Sequence, residues 1–355
     1  MKTAIYHVIG VMSGTSLDGI DLCYAEFSKA EQWQFKILKS RTVEYSEIWR
    51  KRLKHAIDND ADALAQLDFD YSVFLAKTIK GFITDCNIQD IDAVCSHGHT
   101  VFHEPKKGIT KQIGNLDALA KIVKHKVVCD FRVQDVELGG QGAPLVPIGD
   151  RLLFSKYDYC INLGGFANLS FELKNQRIAY DICPVNIVMN RYAETLGLPF
   201  DDSGKIAKSG EIKDELLDAL NNLEFYKQKP PKSLGLEWVN NQIFPLIEKL
   251  NLKTEDVLRT FIEHIAMQIV SNIKDKSKVL FTGGGTYNSF LLDRIKAQKE
   301  VEIVVPEKAL IDYKEALIFG FLGVLKLRNE VNCLSSVTGA LRDHSSGKIF
   351  TIKDS

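Results

Sequence analysis

The strongest concentration of residues suited to phosphate chemistry lies at residues 10–21 of the sequence. Glycines there allow positive φ or a close approach of the backbone to a ligand, and hydroxyls with backbone N–H groups around one turn bind anions. Two carboxylates beside a phosphate need a cation between them, for which Mg²⁺ is the natural choice. The residues of this pattern are Ser13, Gly14, Thr15, Ser16, Asp18, Gly19 and Asp21. We therefore predict a phosphate-binding turn, with Asp18 acting on Mg²⁺ directly or through water.

The elements on either side of this turn are predicted to be the two strands of a hairpin. Apolar residues fill 5–9, and apolar and polar residues alternate over 20–24, which is typical of strands. The turn is not a nucleotide-binding P-loop, because it lacks a lysine and leads into a strand rather than a helix. An ordinary hairpin whose turn is rich in Gly and Ser is the alternative.

Three histidines follow a short buried strand predicted at 91–95. In an extended chain His97 and His99 would share one face, with His103 close by. A metal site would need a third or fourth ligand at a definite spacing, and no cysteine lies at such a spacing. A polar wall that hydrogen-bonds a sugar or another hydroxylated ligand fits better, and a cap on the strand end is the structural alternative.

A further polar group is predicted at the carboxyl end of the strand 126–130, where α/β proteins bind ligands. Arg132 could bind an anionic group through its planar guanidinium, or form an ion pair with Asp130 or Asp135. The glycine-rich stretch 139–144 that follows is suited to a domain junction or a pocket wall.

The second half of the chain repeats the logic of the first hairpin. Apolar strand, glycine turn and apolar strand recur over 157–173, which suggests two related halves. Asp181 follows a strand-like segment and could act as a general base, or cap a helix that begins near Val185. Three successive glycines at 283–285 separate a buried strand from a helix, a place that suits the phosphates or the sugar of a nucleotide. A tight strand-to-helix turn is the alternative there.

Helical patterns are predicted for four other segments. They run from about Ser46 to Asp85, from Leu116 to Lys124, from Thr254 onward, and from Lys314 to about Leu327. The candidate residues named above therefore fall mainly on the turns between predicted elements.

Composition excludes several classes of protein. A chain of 355 residues is long enough for two domains, and a formal net charge of −1 gives no reason to expect nucleic acid or an anionic membrane as a partner. The seven cysteines show no CxxC spacing, which is typical of reduced thiols in a cytosolic protein. The N-terminus leads into a predicted strand without a signal peptide, so we expect a cytoplasmic location.

Taken together, motifs in both halves resemble those of the anhydro-N-acetylmuramic acid kinase family, bacterial enzymes of cell-wall recycling. The most specific are Gly-Thr-Ser-x-Asp-Gly-x-Asp at 14–21 and Gly-Gly-Gln-Gly-Ala-Pro-Leu at 139–145. The other matching segments, in the family's order, are 96–98, 130–147, 162–168, 181–186, 230–233, 283–285, 314–316 and 336–340. The resemblance covers nearly the whole chain.

The resemblance implies a fold and an activity. The fold is α/β, with two RNase-H-like domains around a central cleft, as in actin-like ATPases and sugar kinases. We expect the first domain at 1–131 and the second at 132–355, with a tail that could pack back on the first. The implied activity uses ATP and Mg²⁺ to open the 1,6-anhydro ring of anhydro-N-acetylmuramic acid with water and to phosphorylate O6. The expected partners are that amino sugar and ATP, in a homodimer.

The resemblance also implies roles for individual residues. Asp181 would be the catalytic base, with Glu315 a carboxylate near it. The expected ATP-binding residues are Gly14, Thr15, Ser16, Asp18, Gly19, Asp21, Gly164, Gly165, Asn168, Gly283, Gly284 and Gly285. The expected substrate-binding residues are Ser13, His97, His99, Arg132, Gln141 and Asn186.

The chain departs from the family pattern next to the expected base. Cys183 and Val185 stand where the family has glycines, and positive φ is costly for such residues, so we expect a reshaped pocket. His99 stands where glutamine is usual, which adds a titratable group.

Three other functions compete with this interpretation. The chain could be a kinase for a different amino sugar on the same fold, a chaperone-like ATPase that binds a protein, or a non-catalytic nucleotide-binding regulator. We expect no added substrate domain after Ala340, which argues against the chaperone, and the presence of Asp181 argues against the regulator.

Overall fold

The computed structural model describes residues 4–14 and 17–352. Contacts between residues divide the chain into two units. The first unit consists of Met1–Leu153 together with Tyr313–Ser355, and the second of Phe154–Asp312. Residues 132–153 therefore group with the first unit, whereas the sequence led us to expect a boundary after residue 131.

Twelve strands are found within the described ranges. They are β1 (Ala4–Ser13), β2 (Gly19–Lys29), β3 (Trp33–Glu44), β4 (Ala93–Glu104), β5 (Ile109–Ile113), β6 (Val127–Cys129), β7 (Tyr159–Leu163), β8 (Phe166–Leu173), β9 (Gln176–Pro184), β10 (Lys278–Thr282), β11 (Glu302–Val304) and β12 (Lys348–Phe350).

The same ranges contain fifteen α-helices, several of them only one or two turns long. They are α1 (Glu47–Lys54), α2 (Ala61–Asp85), α3 (Asp117–Val123), α4 (Val133–Glu137), α5 (Pro147–Leu153), α6 (Asn186–Glu194), α7 (Lys205–Ser209), α8 (Asp214–Asn221), α9 (Glu224–Lys227), α10 (Leu236–Trp238), α11 (Phe244–Lys249), α12 (Thr254–Asn272), α13 (Ser289–Gln298), α14 (Lys308–Leu327) and α15 (Ser335–Thr338).

The two sheets share one strand order and one set of strand directions. The first has the order β12-β6-β4-β1-β2-β3, with β5 paired to β4, and the second has β11-β10-β7-β8-β9. In each, three strands form an antiparallel meander, and two later strands add in parallel beside the first of them. This is the ribonuclease H-like arrangement. The expected α/β class, the RNase-H-like domains and the duplication suggested by the two hairpins are confirmed.

Each sheet is covered by a helix whose apolar face forms a core. In the first unit, α2 packs on the sheet through residues such as Tyr71 and Leu75, which join Ile9 and Val94 in one buried cluster. In the second unit, α12 does the same across β7 and β10. These buried faces fix the register of the strands, because a slip of one residue would expose the apolar side chains.

The single helical segment expected from Ser46 to Asp85 is two helices. Ser46 caps α1, and its hydroxyl accepts the N–H of Trp49 at 3.4 Å. The chain then leaves the helix, and α2 begins at Ala61 after Asp60, whose carboxylate accepts the N–H of Ala63 at 2.8 Å. Each side-chain cap satisfies a backbone donor that a helix start leaves unpaired, so the two caps set two separate starts.

The last apolar helix, α14, begins six residues earlier than the sequence indicated. It starts at Lys308 and is interrupted at Tyr313, where φ is −116° and ψ is 16°. The helical segment that we expected to begin at Lys314 is the part that follows this break.

Helix α14 lies directly on the backbone of β1 in the first unit. A Cβ added at Gly10 would overlap the carbonyl oxygen of Ala316 and lie 2.8 Å from the backbone nitrogen of Gly320. A Cβ at Gly323 would overlap the thiol of Cys95 on β4. The small residues on β1 and α14 therefore let the helix and the sheet approach each other more closely than larger side chains would permit.

We predict that Gly10→Ala lowers the stability of the protein. The added methyl group has no space, and overpacking of this kind costs about 1–3 kcal/mol. Gly81→Ala is the matched control, because Gly81 lies on an exposed part of α2 with no atom within 4 Å of an added Cβ. Thermal unfolding should show a lower midpoint for Gly10→Ala and an equal or higher one for Gly81→Ala. Equal midpoints for Gly10→Ala and the parent chain would contradict the close contact.

Candidate active site

The turn predicted to bind phosphate connects β1 and β2. The strands pair from Ala4–Lys29 to Ser13–Ile20, so the turn joins them at the Ser13–Ile20 end of this hairpin. The N–H of Leu17, which has a φ of +60°, donates to the carbonyl of Gly14 at 3.4 Å. Thr15 and Ser16 lie outside the described residues.

The carboxylates of this hairpin differ in their surroundings. Asp18 in the turn is exposed, while Asp21 on β2 is half-buried and accepts the hydroxyl of Thr42 on β3 at 2.6 Å. Gly19 between them is buried, and a Cβ there would lie 2.5 Å from the carbonyl oxygen of Val43. Gly19 is thus required by the contact between β2 and β3, whatever its role toward a ligand.

Ser13 belongs to a buried cluster of hydroxyls. Its Oγ lies 2.6 Å from the hydroxyl of Tyr45 and 2.8 Å from that of Tyr71, and the two phenols are 2.6 Å apart. Nδ1 of His99 lies 3.1 Å from the same Oγ. Burial raises the pKa of both tyrosines and lowers the pKa of His99 to about 4. The cluster is therefore neutral near pH 7 and gives Ser13 a fixed orientation.

The two histidines expected to share one face of β4 lie on opposite faces of the sheet. The His97 ring lies 4.7 Å from that of Phe319 on α14, and the His99 ring lies 6.1 Å from that of Tyr71 on α2. These helices cover different faces of the sheet. Helix α14 contacts β1 at Gly10, whereas α2 packs against Ile9 and Val11, which lie on either side of Gly10 and face the other way.

A β-bulge causes this inversion. Val11 of β1 pairs with Ser96, but Ser13 pairs with His99, so β4 has one residue more than β1 over this interval. Gly98 occupies the bulge with a φ of +75°, a conformation that favours glycine. The prediction of a shared face was wrong because an extra residue breaks the alternation of the strand.

The Arg132 guanidinium donates hydrogen bonds to a histidine and to a backbone carbonyl. The alternative partners considered from the sequence were the carboxylates of Asp130 and Asp135. The Nε–H of Arg132 donates to Nε2 of His97 at 2.7 Å, and its Nη1–H donates to the carbonyl of Gly142 at 2.6 Å. Nδ1 of His97 lies 2.8 Å from the carbonyl of Gly98, which fixes the proton on Nδ1. Burial, with the charge of Arg132, holds the pKa of His97 well below its usual value. His97 is thus a neutral acceptor for Arg132.

Glu315 is the acidic partner of this group. Although solvent reaches its side chain, the surrounding protein raises its pKa by desolvation. Arg132 and Lys314 oppose this shift, and Asp21 adds to it. Burial lowers the pKa of Arg132 to about 10, and the charge of Glu315 opposes that change. Glu315 is therefore close enough to both Arg132 and Asp21 for their charges to affect its pKa.

The neighbour of Glu315 has a separate structural role. Lys314 forms a buried ion pair with Asp150 of α5, with Nζ 2.7 Å from Oδ1. Both side chains are 5–6% exposed. Such a pair is costly to break, because the remaining charge would stay buried.

Gln141 lies on the glycine-rich loop after α4. Its side chain is exposed, and its N–H donates to the carbonyl of Thr338 at 2.8 Å. The next N–H, that of Gly142, donates to Oδ2 of Asp135 at 2.7 Å. The loop is therefore held by backbone donors, which leave the Gln141 amide outside.

Asp181 lies within β9 in the second unit, three residues before the strand ends. Its Oδ2 accepts the N–H of Leu234 at 2.8 Å. Burial raises the pKa of Asp181, and the bond from Leu234 opposes this shift. The alternative role as a helix cap was wrong, because Val185 occupies the N-cap of α6.

A row of polar residues crosses four neighbouring strands beside Asp181. Asp181 pairs with Asn168 on β8, Asn168 with Asn162 on β7, and Asn162 with Thr282 on β10. Asn168 is exposed, so the row reaches solvent. The row places an expected base and an expected nucleotide-binding residue next to each other.

The glycine turns of the second unit meet at the end of this row. Gly283 has a φ of +82°, and a Cβ there would lie 2.6 Å from Oδ1 of Asn162. Gly284 is exposed, with no atom nearer than 3.8 Å to an added Cβ, and that atom is Nδ2 of Asn186. Asn186 in turn donates to the carbonyl of Leu163 at 3.2 Å.

The turn after β7 is tied to the start of α6. The N–H of Gly164 donates to the carbonyl of Phe166 at 3.1 Å, and the carbonyl of Gly165 accepts the N–H of Val185 at 2.8 Å. Within the second unit the structure thus brings together the expected residues Gly164, Gly165, Asn168, Asp181, Asn186 and Gly283–Gly285.

Comparison of the sequence with known proteins identifies a family. A family model described as anhydro-N-acetylmuramic acid kinase matches residues 6–352. The chain belongs to the anhydro-N-acetylmuramic acid kinase family. The resemblance noted in the sequence is thereby confirmed.

Individual members of the anhydro-N-acetylmuramic acid kinase family match over most of their length. The protein of that name from Francisella tularensis subsp. novicida is 34% identical over 365 residues, covering 94% of this chain and 96% of the relative. The one from Haemophilus influenzae is 32% identical over 382 residues, covering 99% and 98%. Among solved structures, component A of (R)-2-hydroxyglutaryl-CoA dehydratase from Acidaminococcus fermentans is similar, with a TM-score of 0.45 and 11% identity over 88% of this chain and 95% of that one.

Several contacts of this family member were not foreseen from its sequence. Tyr45 and Tyr71 reach Ser13 from distant elements, and Asp150 reaches Lys314 from α5. No local pattern could identify them. Residues 230–233 matched a family segment, and the contact of Leu234 with Asp181 lies next to it.

No helix in the described part of the chain has the length and apolar character needed to cross a membrane.

We predict that the His99 imidazole stays neutral down to about pH 4. Burial causes its low pKa, so the unfolded chain binds this proton at a higher pH than the folded chain does. Stability due to this group is complete above about pH 6.5 and is lost as the pH falls toward 4. An NMR titration of the histidine ring signals, assigned by their loss in His99→Gln, should show no His99 transition between pH 5.5 and 8. A transition near pH 6.5 would contradict the buried cluster.

Proposed function

We propose that this protein is an ATP-dependent kinase that opens the 1,6-anhydro ring of 1,6-anhydro-N-acetylmuramic acid with water and phosphorylates O6. The products are N-acetylmuramic acid 6-phosphate and ADP, and the reaction serves peptidoglycan recycling. The observation that carries the proposal is the family match over residues 6–352. A kinase on two ribonuclease H-like units is expected to use ATP, and Mg²⁺ accompanies it.

Asp181 is proposed as the base that activates water. The anhydro sugar joins C1 and O6 in one acetal, so attack of water at C1 must release O6. Asp181 would take a proton from this water as it attacks from the face opposite O6, which is the general-base half of an inverting glycoside hydrolysis. Support comes from burial, which raises the pKa of Asp181 and so increases its basicity. The Leu234 N–H fixes one carboxylate oxygen, and no other hydrogen bond to this carboxylate is formed by the described residues.

The residues at the glycine turns fit a nucleotide. An exposed Gly284, where an added Cβ would have no atom nearer than 3.8 Å, lies beside Gly283 at positive φ and would admit a flat or anionic ligand close to the backbone. In the first unit, Gly14, Asp18 and Asp21 are proposed for the phosphates and Mg²⁺. Mg²⁺ typically uses only one or two protein carboxylates and takes its other ligands from phosphate and water. When bound, ATP supplies the phosphoryl group that O6 receives.

The sugar is proposed to contact the first unit at Arg132 and its neighbours. Arg132 uses Nε and Nη1 within the protein, which leaves the donors of Nη2 for the carboxylate of the muramic acid side chain. His97 holds the guanidinium plane through its acceptor nitrogen. His99, Gln141, Ser13 and Asn186 remain proposed sugar contacts. We also propose a cytoplasmic location, where ATP is available, and a homodimer, as the family resemblance implied.

The function and the assignment of the base are tested together by two variants. The parent chain should consume one ATP for each anhydro-N-acetylmuramic acid. Asp181→Asn should lose roughly 10²–10⁴-fold in kcat or more while it still binds ATP. Glu315→Gln should lose less, because we expect Glu315 to support the charge at Arg132 rather than to accept the water proton. Asp275→Asn, an exposed carboxylate of the second unit, is the matched control and should not change turnover.

Two outcomes would contradict this account. A larger loss for Glu315→Gln than for Asp181→Asn would reassign the base. Consumption of ATP with a different amino sugar, but not with the anhydro sugar, would replace the proposed substrate.

A further inference from the structure

A buried cluster of three different metal-ligand types lies in the first unit. It consists of Asp135 on α4 with Cys333 and His344 near the C-terminus. The sulfur of Cys333 lies 3.0 Å from Oδ1 of Asp135, and Nε2 of His344 lies 3.6 Å from the same oxygen. All three ligand atoms lie within 4.8 Å of one another, and the residues are 0%, 1% and 6% exposed.

The orientation of His344 points to a cation. Its Nδ1 lies 3.1 Å from the carbonyl of Arg342, and a carbonyl only accepts, so Nδ1 carries the proton. With Nδ1 engaged in this way, Nε2 is the ring nitrogen that faces Oδ1 of Asp135, and it forms no hydrogen bond with the described residues. A buried ring nitrogen and a carboxylate oxygen that face each other without a hydrogen bond are unfavourable unless a cation, either a proton or a metal ion, lies between them. Donation from Nδ1 to a backbone carbonyl is also the usual outer-shell contact of a metal-binding histidine.

The backbone holds the three ligands in place. Cys333 and His344 face each other in an antiparallel bridge, with N–H to carbonyl distances of 3.1 and 3.2 Å. The other oxygen of Asp135, Oδ2, accepts the N–H of Gly142 at 2.7 Å. One carboxylate oxygen thus faces the other two ligands, while the second is bonded to the protein, as in many carboxylate–metal contacts.

We propose that Asp135, Cys333 and His344 form a binding site for a tetrahedral transition-metal ion of the Zn²⁺ type. Thiolate, imidazole and carboxylate are the ligands that Zn²⁺ takes in proteins, and a mixed set of this kind does not suit Mg²⁺. The fourth position would be filled by water, and the hydroxyl of Thr338, which donates to Oδ1 of Asp135 at 2.7 Å, would be an outer-shell partner of that ligand.

Binding of the metal ion would replace one bond of the Cys333 sulfur with another. The S–H bond of Cys333 breaks, a bond from sulfur to the metal forms, and one proton per ion passes to solvent. No oxidant or reductant is involved.

The ion would tie the C-terminal segment to the loop that carries Gln141. Thr338, between the two C-terminal ligands in sequence, accepts the N–H of Gln141 through its carbonyl. A ligand that binds only the folded state raises stability, so metal should raise the midpoint of thermal unfolding. This inference does not depend on the proposed kinase activity.

The test is a titration of the full chain, first treated with a chelator, with Co²⁺ alone. Tetrahedral Co²⁺ with one thiolate gives visible d–d bands and a sulfur-to-metal charge-transfer band in the near ultraviolet. We expect both to saturate at one ion per chain. Zn²⁺ should displace Co²⁺ with loss of the bands and release of one proton when it binds the free site.

Variants identify the ligands. Cys333→Ser and His344→Ala should lower Zn²⁺ affinity by more than the roughly 10–100-fold that loss of an outer-shell partner costs. Cys333→Ser should also abolish the charge-transfer band. Cys86→Ser and His55→Gln replace residues of the same types outside the cluster and should leave the bands unchanged.

The proposal is overturned if the folded parent chain takes up no Co²⁺, or if the charge-transfer band persists in Cys333→Ser. Should the variants fail to fold, X-ray absorption of the Zn²⁺-loaded parent chain decides. We expect one sulfur at about 2.3 Å with nitrogen and oxygen ligands at about 2.0–2.2 Å. A shell without sulfur would refute the site.

Discussion

The contact of α14 with the backbone of β1 is the constraint on which the first unit depends. Gly10 has no side chain, and Ala316 and Gly320 lie against it, so the backbone of the helix comes close to the backbone of the strand. This contact sets the position of the residues that follow the break at Tyr313. Glu315, one residue before Ala316, is thereby kept within the electrostatic range of Arg132 and Asp21. The packing of small residues thus determines where a charged residue stands.

The same helix also orients the histidine that binds Arg132. Phe319 packs on the ring of His97, and the bulge at Gly98 turns His99 away to the opposite face. Strand β4 therefore contributes to two separate groups. On one face, His97 accepts a hydrogen bond from the Arg132 guanidinium, and on the other face His99 joins the hydroxyl cluster around Ser13. In the second unit, the corresponding polar residues lie in a row across the strands, with Asp181 beside Asn168.

Local sequence patterns predicted the elements and turns of this fold well, and its long-range contacts poorly. The two hairpins and the glycine turn at 283–285 could be predicted, because alternation and glycine chemistry are properties of adjacent residues. The faces of His97 and His99 could not, because a single inserted residue inverts the alternation. The start of α2 at Ala61 was missed, although Asp60, a residue type that favours helix caps, precedes it directly in the sequence.

The candidate site shows the same division between local and long-range information. Asp181 and Glu315 could be named from motifs, but the partners that set their pKa values come from elsewhere in the chain. Leu234 lies 53 residues after Asp181, and Arg132 is far from Glu315 in sequence. The pairing of Lys314 with Asp150 likewise has no local signal. Electrostatic environment is a property of packing, so it follows only from the folded structure.

The measurement that tests the central claim most directly is turnover of anhydro-N-acetylmuramic acid with ATP in ¹⁸O-labelled water. The account requires that water attacks C1 and that O6 receives the phosphoryl group. It therefore predicts one ¹⁸O at C1 of the product sugar and none in its phosphate. Label in inorganic phosphate, with the sugar unconsumed, would make the protein an ATPase and would contradict the account.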